Sequence, residues 1–351
     1  MRQARIPPWT YSSMALMGTI CMSPMTLSQA IIRTAETGTP LWITLAVPVA
    51  MLGTYASVQL VDAPLAPWAA AVDNALRYPR AIFYVLGAAL MMSPWLNILG
   101  ETLLPRTSRL FLALVILAVV ACSLRLGAEA TTRFIGFLGL FVGISVTFLL
   151  ALGVAKAGWH HLLPHLLGEG TIPWLWPTIL FVPRGYDTVA AYGPLAAPPW
   201  KRPVYLALLV GALIDWIAVV LPVLVYGYPA SAQDPTPLLR ALGTFTSPYL
   251  PFQRVGFVAL IIWQFNVIAV VTYYCLAALL SFRAPAMPLV PWLPLALVVL
   301  AVLVLTYLPL PIDLLGISMN IWSLGGFLLY LVLPLMLLSL GRRRAGQAAA
   351  A

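Results

Sequence analysis

The sequence has very few charged residues. Only 8% of its 351 residues are Asp, Glu, Lys or Arg, whereas a soluble domain carries about 25%. A chain of this size cannot form a water-soluble surface with so little charge. Its residues are 62% hydrophobic and fall in runs of about 17 to 25, the length that crosses a ~30 Å hydrocarbon core as a helix. These features exclude a soluble protein and predict an all-α polytopic protein of the lipid bilayer.

Cysteine is also scarce, since Cys21, Cys122 and Cys275 lie singly in three different apolar runs. This excludes a disulfide framework and a zinc-binding spacing, and buried thiols are expected. The chain has no HExxH, GxSxG, Walker or dinucleotide-binding motif, so an intramembrane protease or an ATP-driven pump has no support. We expect no enzymatic activity, no cofactor and no metal site.

The net charge of +9 comes from 19 basic and 10 acidic residues scattered over short loops. Because no basic patch is present, we expect no nucleic-acid partner. Lys and Arg accumulate in the loops that stay in the cytoplasm. Twelve basic residues fall on the side that holds both termini and six on the other, so both termini are predicted to be cytoplasmic.

Charged residues and Pro/Gly punctuation divide the chain into ten predicted transmembrane spans. They lie near residues 11–35, 41–61, 80–99, 108–124, 131–155, 172–195, 203–227, 252–281, 288–308 and 315–340. Residues 1–10 then form a cytoplasmic N-terminal tail, residues 11–340 a single ten-helix transmembrane domain and residues 341–351 a basic cytoplasmic tail. Two longer outward connections, residues 156–171 and 228–251, have apolar residues at helical spacing, which predicts interfacial or re-entrant pieces.

The first and sixth spans are both predicted to be interrupted. In the first, Gly18 lowers helix propensity, and Pro24 lacks a hydrogen-bond donor and clashes with the carbonyl of Ile20. The predicted break comprises Gly18, Thr19, Ile20, Cys21, Met22 and Ser23. The sixth span contains Pro177 and then the stretch Phe181, Val182, Pro183, Arg184, Gly185, Tyr186 and Asp187.

Two interrupted helices five spans apart match a five-plus-five inverted repeat, the LeuT-like architecture, with a ligand between the breaks. The repeats would cover about residues 11–155 and 172–308. Unwound backbone offers carbonyls to an ammonium group, and half-helix N-termini offer N–H groups to a carboxylate. An α-amino acid carries both groups. Glycine and proline also kink or pack transmembrane helices without any ligand, and this alternative stays open.

Few ionisable residues lie inside the spans, and such residues usually face a protein interior or a water-filled cavity. Arg184 and Asp187 are three apart, which places them on one face of a helix. Asp215 in span seven is a candidate to relay a proton or to pair with Arg184, and its alternative role is a structural ion pair.

Polar residues of span eight, Gln264, Asn266 and Tyr273, are candidates to complete a pocket. The alternative is that they form helix-to-helix hydrogen bonds. Met92 in span three would receive a small apolar side chain or simply pack. In span five, Gly136, Gly139 and Gly143 form a small-residue face that predicts close helix packing.

These residues give the chain a resemblance to a known family over about residues 10–340. The features are Gly18-Thr19 followed by Pro24, the stretch Leu103-Leu104-Pro105-Arg106-Thr107, then Gly127, Glu129 and Arg133, and the aromatic-glycine-acid stretch from Phe181 to Asp187. The chain resembles the spore-germination permeases, the membrane B subunits of nutrient germinant receptors, which belong to the amino acid–polyamine–organocation transporter superfamily.

The resemblance implies a receptor in the inner membrane of the dormant spore. Such a subunit binds a small amino acid and works with an A subunit that has soluble domains and with a lipoprotein C subunit. A ligand that prefers one of two conformations shifts the population toward it, and partner subunits respond to that shift. The alternatives are a proton-coupled amino acid transporter that uses Asp187 or Asp215, and a scaffold with a vestigial pocket.

Overall fold

A computed structural model of the chain describes residues 5–20, 31–33, 39–62, 67–155, 157–158, 185–234, 236–245, 255–282, 292–307 and 321–339. These residues form helices joined by short connections. The helices are α1 (Pro8–Ile20), α2 (Thr39–Asp62), α3 (Pro67–Ala75), α4 (Arg77–Thr102), α5 (Arg109–Arg125), α6 (Ala128–Val154), α7 (Gly185–Tyr192), α8 (Lys201–Tyr226), α9 (Tyr228–Gln233), α10 (Pro237–Gly243), α11 (Val255–Phe282), α12 (Trp292–Tyr307) and α13 (Ile321–Ser339).

Six helical segments of the described residues are long and apolar enough to cross a membrane. They are Thr39–Val61, Pro67–Thr102, Ala128–Val154, Lys201–Tyr226, Val255–Phe282 and Ile321–Ser339. Each of the ten predicted spans contains a helix, which confirms the all-α fold, while the number of ten crossings stays a prediction. The first helix begins at Pro8 rather than near residue 11 because proline suits the first helical position, where its missing N–H costs nothing. The predicted outward segment 228–251 contains the short helices α9 and α10.

Helix α1 packs along α6 through the predicted small-residue face. A Cβ atom on Gly136 would lie 2.8 Å from Thr10 Cγ2, one on Gly139 would lie 2.7 Å from the Ser13 carbonyl, and one on Gly143 would lie 2.8 Å from Leu16 Cδ2. Only glycine permits this approach. The three contacts advance together along both helices, so α1 and α6 run parallel.

Helices α7 and α8 also pack against α1. The Ile6 amide donates to the Leu195 carbonyl over 2.8 Å at one end, and Thr188 meets Gly18 at the other, so α7 runs antiparallel to α1. Trp200, which precedes α8, packs on Tyr11 with ring centroids 5.3 Å apart.

Helices α4 and α11 form an antiparallel pair beside these helices. Their register is set by Tyr84 against Tyr274, with ring centroids 6.0 Å apart, and by a hydrogen bond from the Trp95 indole to Gln264. Gln264 is therefore used in helix packing, as its alternative role predicted.

The ends of α6 and α11 meet at α10. A Cβ on Gly153, in the last turn of α6, would touch Phe245, and one on Gly256, in the first turn of α11, would touch Gly243. The C-terminal end of α6 and the N-terminal end of α11 therefore lie on the same side, and α11 runs antiparallel to α6 and to α1.

Outward faces of the helices expose large apolar side chains, among them Phe137, Ile144, Leu293 and Leu297, as lipid contact requires. Cys122 lies exposed on α5, so the prediction of a buried thiol is wrong at this position, whereas Cys275 is buried. Cysteine tolerates either environment because its side chain is small and weakly polar.

Candidate ligand-binding site

The end of α1 and the beginning of α7 meet at Gly18. A Cβ on this residue would lie 2.5 Å from Thr188 Oγ1 and 3.6 Å from the Tyr273 hydroxyl of α11. Thr188 Oγ1 and Tyr273 Oη are themselves hydrogen-bonded at 2.9 Å. The two spans that the sequence predicts to be interrupted are thus in direct contact, and α11 joins them there.

Asp187 brings a carboxylate to this junction and is fully buried. Its Oδ1 accepts the Thr188 backbone N–H over 2.8 Å, and its carbonyl accepts the Tyr84 hydroxyl over 3.2 Å. It lies in the first turn of α7, where the positive end of the helix dipole favours a negative charge. The carboxylate therefore has a defined place beside the end of α1.

Asp215 lies near the end of α1 on α8 and is also fully buried. A Cβ on Gly211 would lie 2.7 Å from Thr19 Cβ, and Asp215 follows one turn later on the same face of α8. Because α8 meets α1 first at Trp200 and then at Gly211, the two helices run parallel. Asp215 therefore lies one helical turn past Gly211, in the direction in which α1 runs.

Thr19 uses its hydroxyl within α1. Its Oγ1 donates to the Ala15 carbonyl over 2.8 Å. The hydroxyl is therefore committed to the backbone of its own helix.

Asn266 is fully buried on the same face of α11 as Tyr273, two turns nearer the N-terminal end of that helix. In the register of α4 and α11, Met92 lies at the same level as Asn266, and it is fully buried too. Because α11 runs antiparallel to α1, Met92 and Asn266 lie farther than Tyr273 along the direction that leads from Pro8 to Ile20 in α1.

Six fully buried tyrosines form a layer at and beside the junction. This tyrosine layer consists of Tyr11, Tyr84, Tyr192, Tyr273, Tyr274 and Tyr330. The Tyr192 hydroxyl donates to the Tyr273 carbonyl over 2.5 Å, and the Tyr11 hydroxyl donates to the Thr188 carbonyl over 3.4 Å. Of these six, the sequence points only to Tyr273. The contacts of the other five depend on which helices pack together, and residue spacing does not reveal that.

Seven predicted site residues, Cys21, Met22, Ser23, Phe181, Val182, Pro183 and Arg184, lie outside the described residues. Gly185 begins α7. The structure therefore brings together Gly18, Thr19 and Asp187 at the junction of α1 and α7. Within the described ranges, no three His, Cys, Asp or Glu side chains lie together as metal ligands would.

Neither a protein-family model nor a curated protein sequence matches the chain. Solved structures do. A variant of the manganese transporter of Eremococcus coleocola superposes with a TM-score of 0.63 at 14% identity, over 94% of this chain and 79% of that one. A Na⁺-coupled sialic acid symporter, in a substrate-bound outward-open state, superposes with a TM-score of 0.55 at 12% identity, over 92% and 73%.

These similarities confirm the LeuT-like transporter fold and, with the apolar helices, a multi-pass membrane protein. At such low sequence identities, these similarities establish the fold alone and indicate nothing about the ligand.

Proposed function

We propose that this chain binds a small amino acid between the end of α1 and the beginning of α7, and that the bound solute changes the balance between two conformations of the helix bundle. The observation that carries the proposal is the contact of Gly18 with Thr188. It joins the two helices that the sequence predicts to be interrupted, and it lies one residue from the buried Asp187.

The charges favour a ligand with an ammonium group. Asp187 and Asp215 are both fully buried acidic residues, and opposite charges attract more strongly in a dry site than in water. A cationic amine beside Asp187 would be attracted by its carboxylate, while the ligand carboxylate would contact backbone N–H groups of half-helix N-termini.

The test is a thermal-shift screen of the twenty amino acids with purified protein in detergent, because a ligand that binds only the folded state stabilises it. Titration of the best ligand then compares Asp187→Asn with the wild type. Loss of a charge pair in a dry site costs about 2 kcal/mol or more, so we expect affinity to fall by about 30-fold or more. The matched control is Glu101→Gln, since the side chain of Glu101 is 71% exposed. Equal affinities of Asp187→Asn and wild type would contradict the placement.

The first candidate function is transport of the bound amino acid across the membrane. The two buried carboxylates, Asp187 and Asp215, are the candidates to exchange protons with the two sides of a membrane. We expect proteoliposomes to accumulate the labelled amino acid when a pH gradient is imposed, and Asp215→Asn to abolish the dependence on the gradient. Uptake that is independent of pH would remove proton coupling from the proposal.

A germinant receptor is the second candidate, favoured by the stretches Leu103–Thr107 and Phe181–Asp187 that resemble the spore-germination permeases. In this form the chain lies in the spore inner membrane and an A subunit and a lipoprotein C subunit respond to its conformation. Binding without accumulation in proteoliposomes, together with co-purification of two such subunits from spores, would favour this candidate over transport.

A further inference from the structure

The side chain of Asn266 has an unusual environment for a buried amide. It is fully buried in α11, and neither its Oδ1 nor its Nδ2 has a hydrogen-bond partner in the part of the chain that the structure describes. Among the described residues, Asn266 therefore does not make the helix-to-helix hydrogen bond that is the ordinary role of such a residue. An unsatisfied buried amide costs about 1–3 kcal/mol for each group left unpaired.

The position of Asn266 relates it to the proposed ligand. Tyr273 lies seven residues later, which is two helical turns and about 10 Å along the same face. The Tyr273 hydroxyl touches Thr188 and lies close to Gly18, and side chains in a helix lean toward its N-terminal end, so this side chain covers part of the interval. Asn266 therefore lies about two helical turns from the junction of α1 and α7, on the face of α11 that carries Tyr273.

The residue of α4 at the level of Asn266 is apolar. Met92 of α4 lies at the same level and is fully buried, and a thioether is only a weak hydrogen-bond acceptor. A polar group that enters from the ligand would therefore find Asn266 as its strong partner here. An amide both donates and accepts, so it suits a hydroxyl or a second amide equally well.

We propose that Asn266 determines side-chain specificity, and that the site selects an amino acid with a neutral hydrogen-bonding side chain over an aliphatic one of the same size. This inference rests on the proposed function of the site. A site whose polar group is left unpaired by the wrong substrate rejects that substrate strongly.

The experiment measures binding of two matched pairs, L-asparagine with L-leucine and L-serine with L-alanine, to the full chain in detergent. We expect the wild type to prefer the polar member of at least one pair by about 10- to 100-fold, which corresponds to the 1–3 kcal/mol of one satisfied buried group. In Asn266→Leu that preference should reverse, and the ligand-free protein should unfold at an equal or higher temperature because an unpaired amide has been removed.

Gln264→Leu is the control on the same helix. Gln264 accepts the Trp95 indole N–H, so its loss should lower the unfolding temperature and leave the ligand preference unchanged.

Three outcomes would overturn the inference. If the wild type binds L-leucine and L-alanine as tightly as their polar partners, the site binds amino acids but Asn266 does not select them. If Asn266→Leu unfolds at a much lower temperature with unchanged preference, the amide is structural or holds a water molecule. If none of the twenty amino acids shifts the unfolding temperature, the proposed function itself fails and the inference fails with it.

Discussion

Replacement of Gly18 by alanine tests the junction of α1 and α7 most directly. The added Cβ would lie 2.5 Å from Thr188 Oγ1, which is 0.9 Å closer than the 3.4 Å at which ordinary van der Waals contact begins. Thr188 can withdraw only by rotating away from Tyr273, and this rotation breaks the 2.9 Å hydrogen bond between the two hydroxyls.

The expected change in the free energy of unfolding combines two destabilising contributions and one stabilising contribution. Overpacking costs about 1–3 kcal/mol, and a buried hydrogen bond contributes about 1 kcal/mol. Alanine regains about 1 kcal/mol because it favours a helix more than glycine does. The net destabilisation is about 2 kcal/mol, which corresponds to a fall in unfolding temperature of about 3 °C if each residue contributes ~2.1 cal/mol/K to the entropy.

Ligand binding should suffer at least as much. If α1 and α7 separate to relieve the clash, the ligand must bring their ends together again, and about 2 kcal/mol reduces affinity by about 30-fold. The assays are thermal unfolding in detergent and titration of the amino acid found in the screen. Gly100→Ala is the matched control, because its Cβ would come no closer than 3.7 Å to any neighbour, and it should be neutral or slightly stabilising.

A double-mutant cycle with Thr188→Ala tests whether the clash between position 18 and Thr188 causes the destabilisation. Thr188→Ala removes Oγ1, so adding Gly18→Ala to it should cost at least 1 kcal/mol less than adding Gly18→Ala to the wild type. If the two effects simply add, the steric reasoning at this junction is wrong.

Two further substitutions test the packing around α1 and α4. Gly211→Ala should destabilise by about 1–3 kcal/mol, because its Cβ would lie 2.7 Å from Thr19 Cβ; thermal unfolding measures this, and Gly243→Ala, whose Cβ would meet no atom within 4 Å, should change nothing. Trp322→Phe should destabilise by about 1–2 kcal/mol because the indole N–H donates to the Phe83 carbonyl over 2.8 Å; an unfolding temperature equal to that of Trp9→Phe, whose side chain is 55% exposed, would contradict this expectation.

The fold could be predicted from the sequence because its determinants are local. Long apolar runs identify helices. The interruptions predicted from Gly18 with Pro24 and from Pro177 stay predictions, because residues 21–30 and 159–184 lie outside the described residues. The glycines at 136, 139 and 143 indicated a packing face because they repeat at helical spacing, and the structure places α1 on that face. Their partner on α1 was not predictable, since nothing in the glycine spacing names Thr10 or Ser13.

The site could be predicted only in outline. Asp187 was indicated because a carboxylate is rare in an apolar span, but its contact with the Thr188 amide and with Tyr84 depends on tertiary packing. Thr188 itself carries no sequence signal, because threonine is common in membrane helices. Gln264 and Asn266 are equally polar in the sequence, and only the packing distinguishes the one that bonds to Trp95 from the one that bonds to no described residue.

The tyrosine layer links α1, α4, α7 and α11 by hydrogen bonds between helices. Three of its hydroxyls, on Tyr11, Tyr84 and Tyr192, donate to carbonyls of other helices. If opening breaks all three at about 1 kcal/mol each, the closed form outnumbers the open one by roughly 150 to 1 before any solute binds. A solute must therefore favour the open form by about 3 kcal/mol merely to make the two equal. Under the proposed function, the layer would act as a threshold that reserves opening for a ligand that makes enough contacts.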